Sequence, residues 1–107
     1  MTETYDVVRR ALILRQQVIA VYRGRLRKMC PHVIGTKMGK EKALFYQFGG
    51  DSESGLEVLG SSKNFRCVFL EDLAVVEILD GRWMTAAGGS WKMHAQGCVD
   101  WVDIQSF

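Results

Sequence analysis

A chain of 107 residues, 48% hydrophobic and 24% charged, fits one compact domain with one core that buries roughly two thirds of its unfolded surface. No apolar run approaches the roughly 20 residues of a membrane-spanning helix, and the start Met1-Thr2-Glu3-Thr4 lacks a signal peptide's basic and apolar regions, so a cytoplasmic protein without a membrane partner is expected. The net charge of +2 is unevenly laid out, with ten Lys/Arg against three Asp/Glu in residues 1–42 and four against nine in residues 43–107. That asymmetry suits either an anion-binding face or two halves of one fold that neutralise each other.

The first element is expected to be a helix over about residues 4–15. Thr4 is placed to cap it, Asp6 complements the positive end of its dipole, and Tyr5, Val8, Ala11 and Leu12 recur at helical spacing, with Val7, Ile13 and Leu14 widening the apolar face. Arg9, Arg10 and Arg15 fall on the wetter side. From Gln16 the pattern becomes strand-like. Val18-Ile19-Ala20-Val21-Tyr22 is β-branched and apolar on both faces, and Arg23-Gly24-Arg25 reverses the chain. A second strand from Arg25 to Ile34 would set Leu26, Lys28, Cys30, His32 and Ile34 on one face. Pro31, which has no N–H for the ladder, predicts a bend, a bulge or an edge there.

Gly35 to Glu41 reads as a turn and Ala43 to Gly49 as a third strand, followed by a Ser/Gly-rich loop from Gly50 to Ser62. Asn64 to Leu70 and Leu73 to Leu79 complete the set of about five strands, the last ended by Asp80-Gly81. Short strands, tight turns and one helix predict a mainly β fold of α+β type. The expectation is a small Sm- or SH3-like barrel over about residues 16–80, because closure removes edges that pair with other chains. The tail, residues 82–107, is broken at Gly88-Gly89. It carries Trp83, Trp91 and Trp101, each needing cover, and a possible edge strand from Cys98 to Ile104 that pairs within the chain or with a second subunit. There is no internal repeat, low-complexity segment or domain linker.

Candidate chemistry is sparse. Cys30, Cys67 and Cys98, odd in number and widely spaced, argue against a disulfide framework and for a reducing compartment. A metal site from Cys30, His32, Cys67 or Cys98 and His94 lacks the usual ligand spacing, and a Cys98–His94 nucleophilic pair lacks an orienting group and an oxyanion hole. No cofactor and no catalytic residues are therefore expected. His32 has two readings, a ring held by a backbone carbonyl of the bent strand or loop, or a ligand contact. Gln47, among apolar neighbours, must likewise pair with backbone or ligand. The Gly49–Gly55 loop, with Ser52 and Ser54, can offer N–H groups to a phosphate or act as a plain connection. Tyr22, Phe45, Tyr46 and Phe65 are candidate stacking rings or core, with Arg23, Arg25, Arg27 and Lys28 as the basic set for single-stranded nucleic acid.

Several short motifs stand in an order that resembles WYL domains and small stand-alone bacterial proteins related to them. The run Val7-Val8-Arg9-Arg10-Ala11 through Tyr22-Arg23-Gly24 resembles the opening of WYL domains. Pro31-His32-Val33-Ile34-Gly35, Tyr46-Gln47-Phe48-Gly49-Gly50, Ser52-Glu53-Ser54-Gly55 and Phe65-Arg66 with Leu70-Glu71-Asp72-Leu73 resemble the small relatives over roughly residues 7–80. The Trp-Tyr-Leu signature itself appears as Leu44-Phe45-Tyr46, and no helix-turn-helix accompanies it. The resemblance implies an Sm- or SH3-like barrel and a role in sensing nucleotides or nucleic acid. The resulting expectation is a non-catalytic module with ligand contacts at His32, Tyr46, Gln47, Ser52, Ser54 and Arg66. The alternatives are a homo-oligomeric interaction module, or a metal- or thiol-dependent enzyme.

Overall fold

The computed structural model describes residues 1–51, 55–57, 59–87 and 91–106; Ser52 and Ser54 lie outside the described residues. The elements are α1 (Glu3–Leu14), β1 (Gln17–Tyr22), β2 (Arg25–Lys37), β3 (Lys40–Gly50), β4 (Phe65–Phe69), β5 (Leu73–Leu79), α2 (Trp91–Cys98) and β6 (Trp101–Gln105), with short 3-10 turns at Ser62–Asn64 and Leu70–Asp72. The strands form one antiparallel six-stranded sheet in the order β4-β3-β2-β1-β5, with β6 added to β2. Among the described residues no ladder joins β4 to β5, so the sheet is open there and the expected barrel is not closed by strand pairing.

Local chemistry accounts for most boundaries. Thr2, not Thr4, caps α1, its Oγ1 accepting from the Tyr5 N–H at 3.1 Å. Tyr5, Val8, Ala11 and Leu12 are the buried face, as their spacing predicts, whereas Ile13 and Leu14 stay about half exposed past the sheet. Two hairpins turn on paired positive-φ residues, Arg23-Gly24 and Met38-Gly39, the conformation that matches strand twist in two-residue loops. The second lets β2 and β3 run up to the turn, so both exceed their expected lengths.

Pro31 marks the pivot of the sheet. β3 takes one edge of β2 along nearly its whole length; on the other edge β1 pairs as far as Met29 and β6 begins at Val33. A proline without an N–H therefore sits where neither strand needs one. In the β2–β3 ladder Pro31 faces Phe45 and Val33 faces Leu44, which leaves His32 as an extra, bulged residue. The bulge reverses the alternation of β2, so Met29 and Ile34 share one core cluster while Val33 joins the other, and the expected run of even-numbered residues on one face does not hold.

The two faces are covered differently. Tyr5, Val8, Ala11 and Leu12 of α1 pack with Val18, Met29, Ile34, Phe45 and Val68 on one face. On the other, Val33, Leu44, Tyr46 and Phe65 pack under Ala86, Trp91, Cys98 and Val99. The second layer rests on the tail, where a helix was not expected: Lys92–Gln96 favour helix, but the glycines on either side, Gly88-Gly89 and Gly97, hide it in the sequence. The edge strand expected between Cys98 and Ile104 is β6, paired with β2 of the same chain. Trp91 is buried and Trp83 half-buried, but Trp101 remains 51% exposed and finds no cover.

The cysteine expectation is overturned. Cys67 of β4 and Cys98 at the end of α2 are joined in a disulfide, their Cα atoms 5.7 Å apart across 31 residues of sequence. Spacing alone could not reveal it, because the fold of the tail brings them together. Only Cys30 is free, buried in the sheet. No helix among the described residues is long and apolar enough to cross a membrane.

Candidate functional site

The gap between β1 and β6 along β2 leaves the backbone and side chains of Cys30, Pro31 and His32 to find other partners, and the segment 82–85 supplies them. The Gln17 amide donates to the Arg82 carbonyl at 2.7 Å and fixes the start of the segment. The Trp83 indole N–H donates to the Pro31 carbonyl at 3.2 Å, and the Met84 N–H to Cys30 Sγ at 3.2 Å. His32 completes the seam. Its Nδ1 lies 2.9 Å from the Cys30 carbonyl, which can only accept, so Nδ1 carries the proton; Nε2, 2.7 Å from Thr85 Oγ1, then accepts from the hydroxyl.

His32 is fully buried in a ring of aromatic side chains. Trp83 lies 4.3 Å from it centroid to centroid, Phe65 meets it edge-on at 5.4 Å, and Tyr46 and Trp91 stand at 6.4 and 6.3 Å. Burial pushes its pKa down to about 4, opposed by the hydrogen bond to the Cys30 carbonyl and assisted by the charge of Arg15. Arg15, in the left-handed cap of α1, holds its guanidinium 4.3 Å from the Trp83 ring centre.

In front of this seam lies an open cavity of about 340 Å³, lined by Leu59 and Gly60 on one side and by Arg82, Trp83, Met84, Thr85 and Ala87 on the other. Both walls are anchored from behind. Tyr46 Oη accepts from the Gly60 N–H at 2.7 Å, and His32 accepts from Thr85. His32 and Tyr46, expected as ligand contacts, thus stand near each other behind the wall and hold it; neither lines the cavity.

The other sequence candidates form a second cluster around the loop after β3. Gln47 is fully buried. Its Nε2 donates to the carbonyls of Gly49 and Asp51 at 3.0 and 2.7 Å, and Arg27 Nη1 approaches its Oε1 at 3.4 Å. Arg66 donates to the carbonyls of Lys63, Phe65 and Gly55 at 2.6, 3.0 and 3.2 Å. Its pKa is pushed down, by burial first and then by the neighbouring charge of Arg27. Gln47 and Arg66 are therefore engaged with the backbone, which is the pairing their polarity requires.

The basic set does not share one surface. Arg27 is 3% exposed, its guanidinium 4.6 Å from the Tyr22 ring; Arg23 approaches the same ring at 5.1 Å; Arg25 pairs with Asp51 at 2.7 Å; Lys28 is exposed. Of the proposed stacking rings, Phe45, Tyr46 and Phe65 are core, and Tyr22 is partly covered by arginines. The five candidate metal ligands do not assemble either, since Cys67 and Cys98 bind each other, His94 stacks on Phe65 at 4.6 Å, and Cys30 accepts from Met84. The residues that sequence reasoning missed, Arg82, Trp83 and Thr85, had one signal: a tryptophan in a polar tail that needed cover. Comparison of the chain with protein-family models, curated proteins and solved structures found no match.

Proposed function

We propose that the protein is a non-catalytic binding module whose ligand, a nucleotide or the end of a short single strand of nucleic acid, enters the cavity between Leu59-Gly60 and Arg82–Ala87. One observation carries this reading: a cavity of about 340 Å³, within the size range of small-molecule sites, combines an apolar and aromatic lining with a basic residue, Arg82, and a polar one, Thr85. Arg82 would meet a phosphate, and the apolar wall a base or sugar. The His32–Thr85 pair supports a binding role over catalysis, because an imidazole whose pKa burial lowers to about 4 is a weak proton acceptor at neutral pH. The exposed Lys28 and the half-exposed Arg25 add positive potential for a longer strand.

The finer fold reading belongs with this proposal. The strand order β4-β3-β2-β1-β5, with a single 3-10 turn between β4 and β5, supports a small Sm- or SH3-like barrel. A WYL-like relationship is part of the proposal and rests on the sequence motifs alone. A cytoplasmic setting accompanies it.

Titration with a nucleotide panel and short single-stranded DNA and RNA, read by tryptophan fluorescence at low and moderate salt, tests the proposal. Saturable, salt-dependent quenching that Arg82→Ala weakens is expected. A flat response from folded protein overturns it.

A second reading, a homo-oligomeric interaction module, is favoured by β6. Trp101 and Val102 are 51% and 43% exposed on a strand whose outer edge has no ladder partner among the described residues, beside a groove formed with Ala95 and Gln96 of α2. Its signature is a concentration-dependent mass that Trp101→Lys abolishes. A monomer at all concentrations rules it out.

A further inference from the structure

We propose that Cys67 and Cys98 form a reversible thiol–disulfide exchange site, reacting with low-molecular-weight thiols such as glutathione and controlling whether α2 stays docked on β4. The two cysteines differ in access: Cys67 is an exposed residue of β4, on the face toward α2, whereas Cys98, the last residue of α2, is 1% exposed. A thiol can therefore approach Cys67 and not Cys98.

The bond is one of two rungs between the same elements. His94 and Cys98 lie one turn apart on α2, Phe65 and Cys67 two residues apart on β4, and His94 stacks on Phe65 at 4.6 Å beside the disulfide. α2 depends on these rungs because it has only eight residues, includes Gly97, and carries no acidic residue in its first turn or basic residue in its last. Isolated helices of that length are marginal in water.

The exchange balances as follows. A glutathione thiolate attacks Cys67 Sγ, the Cys67–Cys98 bond breaks, and Cys98 leaves as a thiolate that takes a proton from solvent. A second glutathione thiolate attacks the glutathione sulfur of the mixed disulfide at Cys67, releasing glutathione disulfide and the Cys67 thiolate, which is protonated in turn. Two thiols have been oxidised and one protein disulfide reduced; excess glutathione disulfide reverses the sequence.

Opening removes the covalent rung, so α2 loosens and Trp91 leaves its place beside His32, where their rings stand 6.3 Å apart. The consequence reaches the cavity wall through Ala86, which packs in the same cluster as Trp91 and Cys98. The exchange itself does not rest on the identity of any ligand.

Native protein incubated with millimolar reduced glutathione, then alkylated and weighed intact, tests the proposal together with amide hydrogen exchange. Two alkyl groups are expected per chain and not three, because Cys30 is fully buried. Exchange across residues 91–98 should rise on the order of tenfold or more while the centre of β2 is unchanged. Glutathione disulfide should restore both readouts, and Cys67→Ser/Cys98→Ser should exchange fast at 91–98 in either buffer. A disulfide that yields only in denaturant overturns the proposal, as does equal α2 protection in the oxidised and reduced protein.

Discussion

His32 Nε2 and Thr85 Oγ1, 53 positions apart in the chain, meet at 2.7 Å in the gap that Pro31 leaves in the sheet. The contact joins the bulge in β2 to the wall of the cavity, and fold and candidate site depend on it together. Replacing Thr85 by Val keeps the shape and orphans Nε2, an unpaired buried acceptor that costs about 1–3 kcal/mol. Urea unfolding of Thr85→Val should show that loss, and Thr85→Ser should recover most of it.

Acid should destabilise the protein in a defined window. His32 titrates near 6.5 when unfolded but only at about 4 when folded, so between these values the unfolded chain binds the extra proton. The stabilisation is complete above pH 6.5 and falls as pH drops toward 4, by about 3 kcal/mol across the window. Unfolding free energies at stepped pH check this; a His32→Gln variant should lose most of the slope.

Asp103 ties α1 to β6, with its Oδ2 accepting from Tyr5 Oη at 2.6 Å and from Arg9 Nε at 3.0 Å. The hydrogen bond from Tyr5, then that from Arg9 and its charge, outweigh burial and hold the carboxyl below its ordinary value. Its contribution is therefore present above pH 3.8 and lost as pH falls through the lower, folded value. Tyr5 is shifted the other way, chiefly by burial, so its contribution holds below pH 10 and fades above it. Asp103→Asn should destabilise by about 1–3 kcal/mol and remove an acid-side dependence distinct from that of His32.

Close approach between β2 and β6 requires Gly35. A Cβ there would collide with the backbone carbonyl of Trp101. Gly35→Ala should push β6 off the sheet, costing about 1–3 kcal/mol as overpacking does, and hydrogen exchange should rise at residues 101–105 before other strands.

Val75 sits at φ 50° with 71% of its surface exposed, where two residues of β5, Val75 and Val76, face Ala20 alone in β1. A β-branched side chain is strained in that region, and an asparagine is not. Val75→Asn should raise stability by about 1 kcal/mol, measured by urea unfolding.

The sequence was informative where a residue's own chemistry decides the outcome. Tyr5, Val8, Ala11 and Leu12 define α1; Arg23-Gly24 makes the hairpin; Pro31 announces a break in β2; His32 and Gln47 have to be paired. What could not be read was set by distant parts of the chain. The bulge at His32 reversed the faces of β2, a short helix with a glycine in it formed only as cover for the second core face, and Cys67 met Cys98 through that helix. The site followed the same division. His32 was marked as a polar ring that needs a partner and Tyr46 by the motif it shares with Gln47, while the cavity they support is built from Leu59-Gly60 and the 82–87 segment, brought together only in three dimensions.

The most direct test of the proposed function is a map of backbone and indole amide shifts in ¹⁵N-labelled protein titrated with a nucleoside diphosphate and with short oligothymidylate. The account predicts that Gly60, the Trp83 indole, Met84, Thr85 and Ala87 shift first and saturate together. Shifts confined to β6 and α2, or none at any concentration, would contradict it.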